Sequence, residues 1–204
     1  MKIEQFLVGE MANFTYLLID EINNSCIIVD PSWDLDTIFE YIKKNNLQIK
    51  FIINTHSHFD HTLGNEQVVQ VTGAKIMQHR NSPLHKDKIL EDGDRIEFGS
   101  SIIDVIYTPG HTKDSICLIV DNEIILTGDT IFVGSCGRLD LPGGSASEMF
   151  DSIYGKLSNL DEKLIVYPGH HYGSKKTSSM RDEKQNNFVF KFRSKEEFLS
   201  FMNT

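Results

Sequence analysis

Short apolar runs, many of them β-branched, recur along the chain and are cut by polar or glycine- and proline-containing segments. The pattern predicts strands with a few helices between them. Residues 3–8, 14–19 and 26–29 read as three strands, the second and third joined by the polar segment 20–25, an antiparallel opening. Asp30-Pro31 stops the third strand. Asp34 or Asp36 then caps a helix to about Lys44 that sets Leu35, Ile38, Phe39 and Ile42 on one core-facing side. A strand ending near Asn54, a helix over 62–72 that holds Val68 and Val71 and is terminated by Gly73, and a strand over 75–77 come next. Residues 79–94 are polar and irregular. Four strands at 95–98, 102–107, 115–120 and 123–126 follow in hairpin-like succession, with Asp121-Asn122 as a tight turn, and predict a second sheet. After a glycine-rich stretch at 133–144, Ser145 or Ser147 caps a helix bearing Met149, Phe150, Ile153 and Leu157. A strand at 164–167, a polar stretch at 174–187 and a short amphipathic helix at 194–202 come last. Two strand-rich halves, 1–80 and 95–170, thus predict two packed sheets with helices outside, in one domain over residues 1–204.

The strand ends carry the chemistry. Residues 55–61 read Thr-His-Ser-His-Phe-Asp-His and compress His56, His58, Asp60 and His61 into six positions directly after a strand. In an extended chain His56 and His58 share a side, and the turn that follows brings Asp60 and His61 round beside them. Imidazole nitrogens suit zinc, iron or manganese, and aspartate adds a hard anionic oxygen. Three later strands end in Thr108-Pro109-Gly110-His111, Thr127-Gly128-Asp129-Thr130 and Pro168-Gly169-His170-His171-Tyr172, and these loops are expected to meet the first cluster. His79 and His85 lack metal-spaced partners and read as surface residues.

Composition removes several classes. A net charge of −9 argues against a nucleic-acid or anionic-membrane surface, which needs a basic face. No run approaches bilayer-spanning length and the first residues lack a signal peptide's apolar stretch, so a cytoplasmic protein without membrane contact is expected. Cys26, Cys117 and Cys136 are odd in number and widely spaced, which predicts free thiols, buried at Cys26 and Cys117.

Taken together, H-x-H-x-D-H at 56–61, Pro-Gly-His at 109–111, Gly-Asp at 128–129 and Pro-Gly-His at 168–170 resemble the metallo-β-lactamase superfamily, and within it the compact glyoxalase II-like hydrolases and their persulfide dioxygenase relatives. The resemblance implies an α/β fold, the four-layer αββα sandwich with its metal site along one edge. It puts one metal on His56, His58 and His111 and a second on Asp60, His61 and His170, with Asp129 bridging and Asp60 also positioning the attacking water. Asp129 stands where the true β-lactamases carry cysteine, and His58 where the flavodiiron proteins carry glutamate, which sets both relatives aside.

By this likeness, two divalent ions (zinc, iron or manganese) acidify a shared water for attack on an acyl-thioester, and the good thiolate leaving group needs no strong acid. The partner is then a small-molecule thioester or thiol-derived substrate. Arg138 is a candidate for an anionic substrate group, or else a structural partner of Asp140. Tyr172 follows the last ligand where the family has a tyrosine near glutathione. The tyrosine expected after Gly-x-Gly is Asp140 here, and little chain remains for the family's basic C-terminal extension. Cys136 reads as a packed residue rather than a nucleophile. The stretch Cys136-Gly137-Arg138-Leu139-Asp140 is also similar to persulfide dioxygenases, in which a single iron sits on the equivalents of His56, His111 and Asp129. Lactone hydrolysis, RNA processing and a closed, non-catalytic metal site rank below these two.

Overall fold

The computed structural model describes residues 1–202. Its first sheet runs in chain order: β1 (Lys2–Val8), β2 (Asn13–Asp20), β3 (Ser25–Val29), β4 (Gln48–Ile53), β5 (Lys75–His79) and β6 (Lys88–Leu90). β1 to β3 pair antiparallel and β3 to β6 parallel. Parallel neighbours need a crossover. Helix α1 (Leu35–Lys44) supplies the first, and α2 (Phe59–Thr62) with α3 (Asn65–Thr72) the second. The second sheet has the order β12 (Ser178–Ser179), β11 (Ile165–Pro168), β10 (Ile124–Gly128), β9 (Ile116–Val120), β8 (Ser101–Tyr107) and β7 (Arg95–Phe98). Its one parallel pair, β10–β11, is bridged by α4 (Ala146–Gly155); α5 (Met180–Asn186) and α6 (Lys195–Met202) follow β12.

Three apolar layers hold the sandwich. Phe14, Leu18, Ile27 and Ile53 of the first sheet meet Ile103, Val105, Leu118 and Leu126 of the second. On the outer face of the first sheet, Leu17, Ile28 and Ile52 pack under Leu35, Ile38 and Val68 of α1 and α3. On that of the second, Cys117, Ile125 and Val166 pack under Met149, Ile153, Met180 and Phe198. Strands covered on both faces have no polar side to alternate with. This is why β2, β3, β9 and β10 read as near-continuous apolar runs and are buried throughout.

Local chemistry explains the boundaries. Ser145 caps α4 by accepting from Glu148 N–H. Asp121 and Asn122 both take φ of 53°, the left-handed pair that a two-residue hairpin requires. Gly73 ends α3 in the left-handed region. Asp34 precedes α1 without capping it, since its carboxylate accepts from Gly9 N–H instead.

Several expectations need correction. The helix expected over 62–72 begins earlier and is broken at Leu63-Gly64, where Gly64 N–H donates to Pro31 O at 3.0 Å; a Cβ there would meet that same carbonyl. Val71 on α3 is exposed. The irregular stretch 79–94 holds edge strand β6, and the polar stretch 174–187 holds β12 and α5. His79 is no surface residue: it is buried, its ring stacked on Tyr107 at 4.1 Å, which gives a histidine in this polar segment an apolar partner. His85 is exposed as expected. Phe39 is only partly buried beside its helix's core residues. Cys26 and Cys117 are buried free thiols. No described helix is long and apolar enough to cross a membrane.

Candidate metal centre

The four chemistry-bearing strand ends lie at one edge of the sandwich, where backbone hydrogen bonds cross between the sheets. Ile116 N–H donates to Thr55 O at 2.9 Å, Phe14 N–H to Gly169 O at 2.8 Å and His171 N–H to Ala12 O at 2.8 Å. The loop after β4 is thereby set against the start of β9, and the loop after β11 against the start of β2. Seven side chains converge there. They form three overlapping groups, His56–His58–His111, His56–His61–Asp129 and Asp60–His61–His170, in each of which the ligand atoms lie within 4.8 Å of one another.

The outward nitrogens of four of the five imidazoles are already engaged. Nδ1 of His61 lies 3.0 Å from Asp30 Oδ2, Nδ1 of His111 lies 2.7 Å from Arg138 O, and Nδ1 of His170 lies 2.9 Å from Met11 O. Nδ1 of His56 faces the Thr55 hydroxyl at 3.2 Å, which itself donates to Asp30 Oδ2 at 2.6 Å. Each of these acceptors takes an Nδ1–H and leaves Nε2 of the neutral ring as a lone pair turned inward. Those inward nitrogens face one another: His61 Nε2 and His170 Nε2 at 3.1 Å, His111 Nε2 and His58 Nδ1 at 2.9 Å. Meanwhile the buried atoms His56 Nε2 and Asp129 Oδ1 make no hydrogen bond. Inward-facing imidazole nitrogens crowded with carboxylate oxygens, two of the atoms orphaned, are costly unless a cation, a proton or a metal ion, lies among them. The residues present therefore fit divalent metal.

Asp129 stands between the two histidine sets, with Oδ1 3.4 Å from His61 Nε2 and Oδ2 3.5 and 3.3 Å from His111 and His170 Nε2. Asn13 holds Asp60, donating from Nδ2 to both its Oδ2 and its backbone oxygen at 3.0 Å. Charge is strongly coupled here. Burial pushes the Asp129 carboxyl up, but the surrounding histidines, His61 first, hold it well below the usual range. At Asp60 burial is likewise overcome, by His170 and His61, and the group falls to about 2. Burial lowers His170, yet its contacts with Asp129 and Asp60 carry it up to about 10. His56 and His58 are lowered by burial and by the neighbouring imidazoles.

The backbone comes unusually close. A Cβ on Gly169 would lie 2.3 Å from Asp129 Oδ1, and one on Gly137 would lie 2.2 Å from Asp129 O and 2.8 Å from His111 Nδ1. Gly137 N–H donates to Asp129 O at 3.0 Å, so the glycine fixes the loop that presents Arg138 O to His111. That loop is clamped from below. Asn187 Nδ2 donates to Phe132 O at 3.1 Å and to Ser135 O at 2.9 Å, and Glu183 accepts from Gly134 N–H at 2.9 Å.

A cleft of about 460 Å³ opens onto His58, Asp60, His111, Asp129 and His170, with Met11, Phe59, Phe132, Leu141, Pro142 and Tyr172 as its apolar wall. Tyr172 stacks on His170 at 4.5 Å and meets Phe132 edge-on. Arg138 also lines the cleft, but its guanidinium is bound bidentate to Asp140, Nε to Oδ1 at 2.9 Å and Nη2 to Oδ2 at 2.6 Å. Burial pushes the Cys136 thiol up to about 12, which removes it as a nucleophile at neutral pH. His171 lies apart from the ligands, stacked on Phe14.

Sequence reasoning missed the residues behind the ligands: Asp30, Asn13, Glu183 and Asn187. Asp30 offered one signal, an aspartate at a strand's end, but it reads equally as a stop before Pro31. Its φ of 51° and its bonds to Thr55 N–H and His61 are visible only in three dimensions. Asn187 carried no signal.

The family description "Metallo-beta-lactamase superfamily" matches residues 8–82 and 75–170. The chain belongs to the metallo-β-lactamase superfamily. Its relatives in this superfamily carry different names. It is 34% identical over 198 residues (94% of this chain, 88% of that protein) to a probable polyketide biosynthesis zinc-dependent hydrolase, BaeB, of Bacillus velezensis. It is 34% identical over 170 residues to a hydroxyacylglutathione hydrolase of Francisella philomiragia, covering 82% of this chain and 66% of that protein. It is 31% identical over 187 residues to the human mitochondrial persulfide dioxygenase ETHE1, covering 89% of this chain and 73% of that protein. Among solved structures, ETHE1 from Myxococcus xanthus superposes with a TM-score of 0.94 at 30% identity, covering all of this chain and 91% of that one. The αββα fold and a metal-dependent superfamily are thereby established for this chain.

Proposed function

We propose that the protein is a dinuclear metal-dependent hydrolase of acyl-thioesters. The observation that carries this reading is the completeness of the second donor set. Asp60, His61 and His170 all turn inward, and each is held from behind, by Asn13, Asp30 and the Met11 carbonyl respectively. Such support is built where ligand geometry matters. His56, His58 and His111 would hold one divalent ion and Asp60, His61 and His170 a second, with Asp129 between the two sets, and the ions would supply Lewis acidity and an acidified water.

The chain's own residues do the rest. Asp60, held by Asn13, presents a carboxylate oxygen that orients the attacking water, while Asp129 keeps the two histidine sets in register. Tyr172 and Phe132 cover His170 and keep bulk water from it. The cleft admits a thioester along the apolar wall; the oxygen of water bonds to the acyl carbon as the C–S bond breaks, releasing carboxylate, thiol and a proton. Arg138 and Tyr172 are the proposed substrate neighbours on the wall.

A second reading is a mononuclear iron persulfide dioxygenase. It is supported by the near-complete superposition on ETHE1 and by the two-histidine, one-carboxylate set His56, His111 and Asp129. Metal content of protein purified without added metal decides between them, with thiol release from S-lactoylglutathione and oxygen uptake on glutathione persulfide. Near two ions per chain with thiol release supports the hydrolase. One iron with oxygen uptake and no thiol release overturns it.

A further inference from the structure

We infer that the substituents flanking the scissile bond in this cleft are uncharged and apolar, so that the substrate is a neutral acyl-thioester, not one bearing the carboxylates of glutathione or of a dicarboxylic acyl group. The inference rests on the thioesterase reading and narrows its substrate class. Large apolar side chains are exposed at the mouth: Phe59 is 62%, Tyr172 55% and Met11 40% accessible, and all three converge on one concavity with Leu141 and Pro142. Apolar surface gathered around a cleft beside convergent polar groups marks a ligand wall.

Recognition of a substrate carboxylate would need a free cation. Arg138 is the one lysine or arginine on the cleft wall among the described residues, and Asp140, two positions along the same loop, already takes its Nε–Nη2 edge in bidentate geometry. An incoming carboxylate must displace one that is tethered at high effective concentration and gains no new contact in doing so. The net charge of −9 further disfavours the approach of polyanions.

Two matched pairs test this on zinc-loaded enzyme: S-hexanoyl- against S-succinyl-N-acetylcysteamine, which varies the acyl charge, and S-lactoyl-N-acetylcysteamine against S-lactoylglutathione, which varies the thiol. The neutral member of each pair is expected to have a kcat/KM at least about tenfold higher, and equal or better turnover of the charged member in either pair overturns the inference. In Asp140→Asn, which frees the Arg138 fork, the ratio of glutathione to N-acetylcysteamine ester turnover is expected to rise about threefold to fivefold. An unchanged ratio refutes the part given to Asp140. If none of the four esters turns over, the thioesterase reading falls, and the wall is still probed by binding. Trp33, the single tryptophan, lies edge-on to Phe59 at 6.2 Å, so its fluorescence reports on the mouth. Hexanamide is expected to saturate that signal at lower concentration than glutathione, and the reverse order contradicts an apolar wall.

Discussion

The carboxylate of Asp30 lies 3.0 Å from Nδ1 of His61, so a residue just past β3 sets the tautomer that leaves Nε2 of that ring facing the other donors. Asp30 also accepts from Thr55 N–H at 2.7 Å and from the Thr55 hydroxyl. Asp30→Asn keeps the size but weakens the hold on the His61 tautomer. Its metal affinity is expected to fall by about 10- to 100-fold, as removal of such supports typically does. Competition against a chromogenic chelator measures it. An affinity within twofold of the parent would show that Asp30 only shapes the turn.

Loading the metal-free protein should release protons. His170 is raised to about 10 by Asp129 and Asp60 against the effect of burial, so near pH 7 it carries a proton in the absence of metal, and His61 is raised in the same direction by Asp129 and Asp30. Groups whose folded pKa is raised stabilise the fold fully below their unfolded value, near 6.5, and lose that contribution as pH climbs through the folded one. Between about pH 6.5 and 10 the melting temperature of metal-free protein is thus expected to fall from this source, while metal affinity rises as the competing protons leave. Calorimetric zinc titration in buffers of different ionisation enthalpy counts the protons. Zero release at pH 7 would contradict the raised values.

Gly169 and Gly137 are needed for close approach. Gly169→Ala places a methyl against Asp129 Oδ1, and Gly137→Ala places one against Asp129 O and His111. Each is expected to cost about 1–3 kcal/mol in stability from overpacking and to lower bound metal per chain. Thermal melting with elemental analysis checks both, and full metal content in either variant would show that the backbone yields.

Asn187 and the loop at 132–138 are coupled across the fold. Asn187→Ala leaves Phe132 O and Ser135 O with only each other's backbone N–H as donors, at about 1 kcal/mol, and loosens the segment that carries Arg138 O to His111. The expected signature is weaker retention of metal together with faster amide exchange at residues 133–138, read by hydrogen exchange. Protection unchanged in that segment would place the clamp elsewhere.

His79 serves as a control among the histidines. Its ring is stacked on Tyr107 and it belongs to none of the three donor groups. His79→Ala is expected to lose about 1 kcal/mol or more of stability while binding the parent's complement of metal.

How far these features were readable in the sequence depends on whether their cause is local. His56, His58, Asp60 and His61 stood out because four donors fall within one turn after a strand. His111, Asp129 and His170 were legible only as strand-end residues in a familiar order, and the backbone bonds between β2, β9 and the opposite loops are what bring them together. The apolar runs of β2, β3, β9 and β10 announced a doubly covered sandwich. Asn13, Asp30 and Asn187 act at long sequence separation through single side chains, and a polar residue in a loop looks alike whether it faces solvent or a buried carbonyl. The break at Gly64 and the burial of His79 were hidden for the same reason: Pro31 and Tyr107 are distant along the chain.

The ligands are divided between the sheets, His56, His58, Asp60 and His61 following a strand of the first and His111, Asp129 and His170 following strands of the second. An ion on Asp60, His61 and His170 would tie position 60 to position 170 and close about half of the polypeptide into a ring, a tie that the unfolded chain cannot make with comparable strength. Neither half can assemble the donor set without the other, so uptake of metal would be a checkpoint on maturation: a chain whose sheets have not docked would stay metal-poor and be distinguishable on that ground from one that has finished folding.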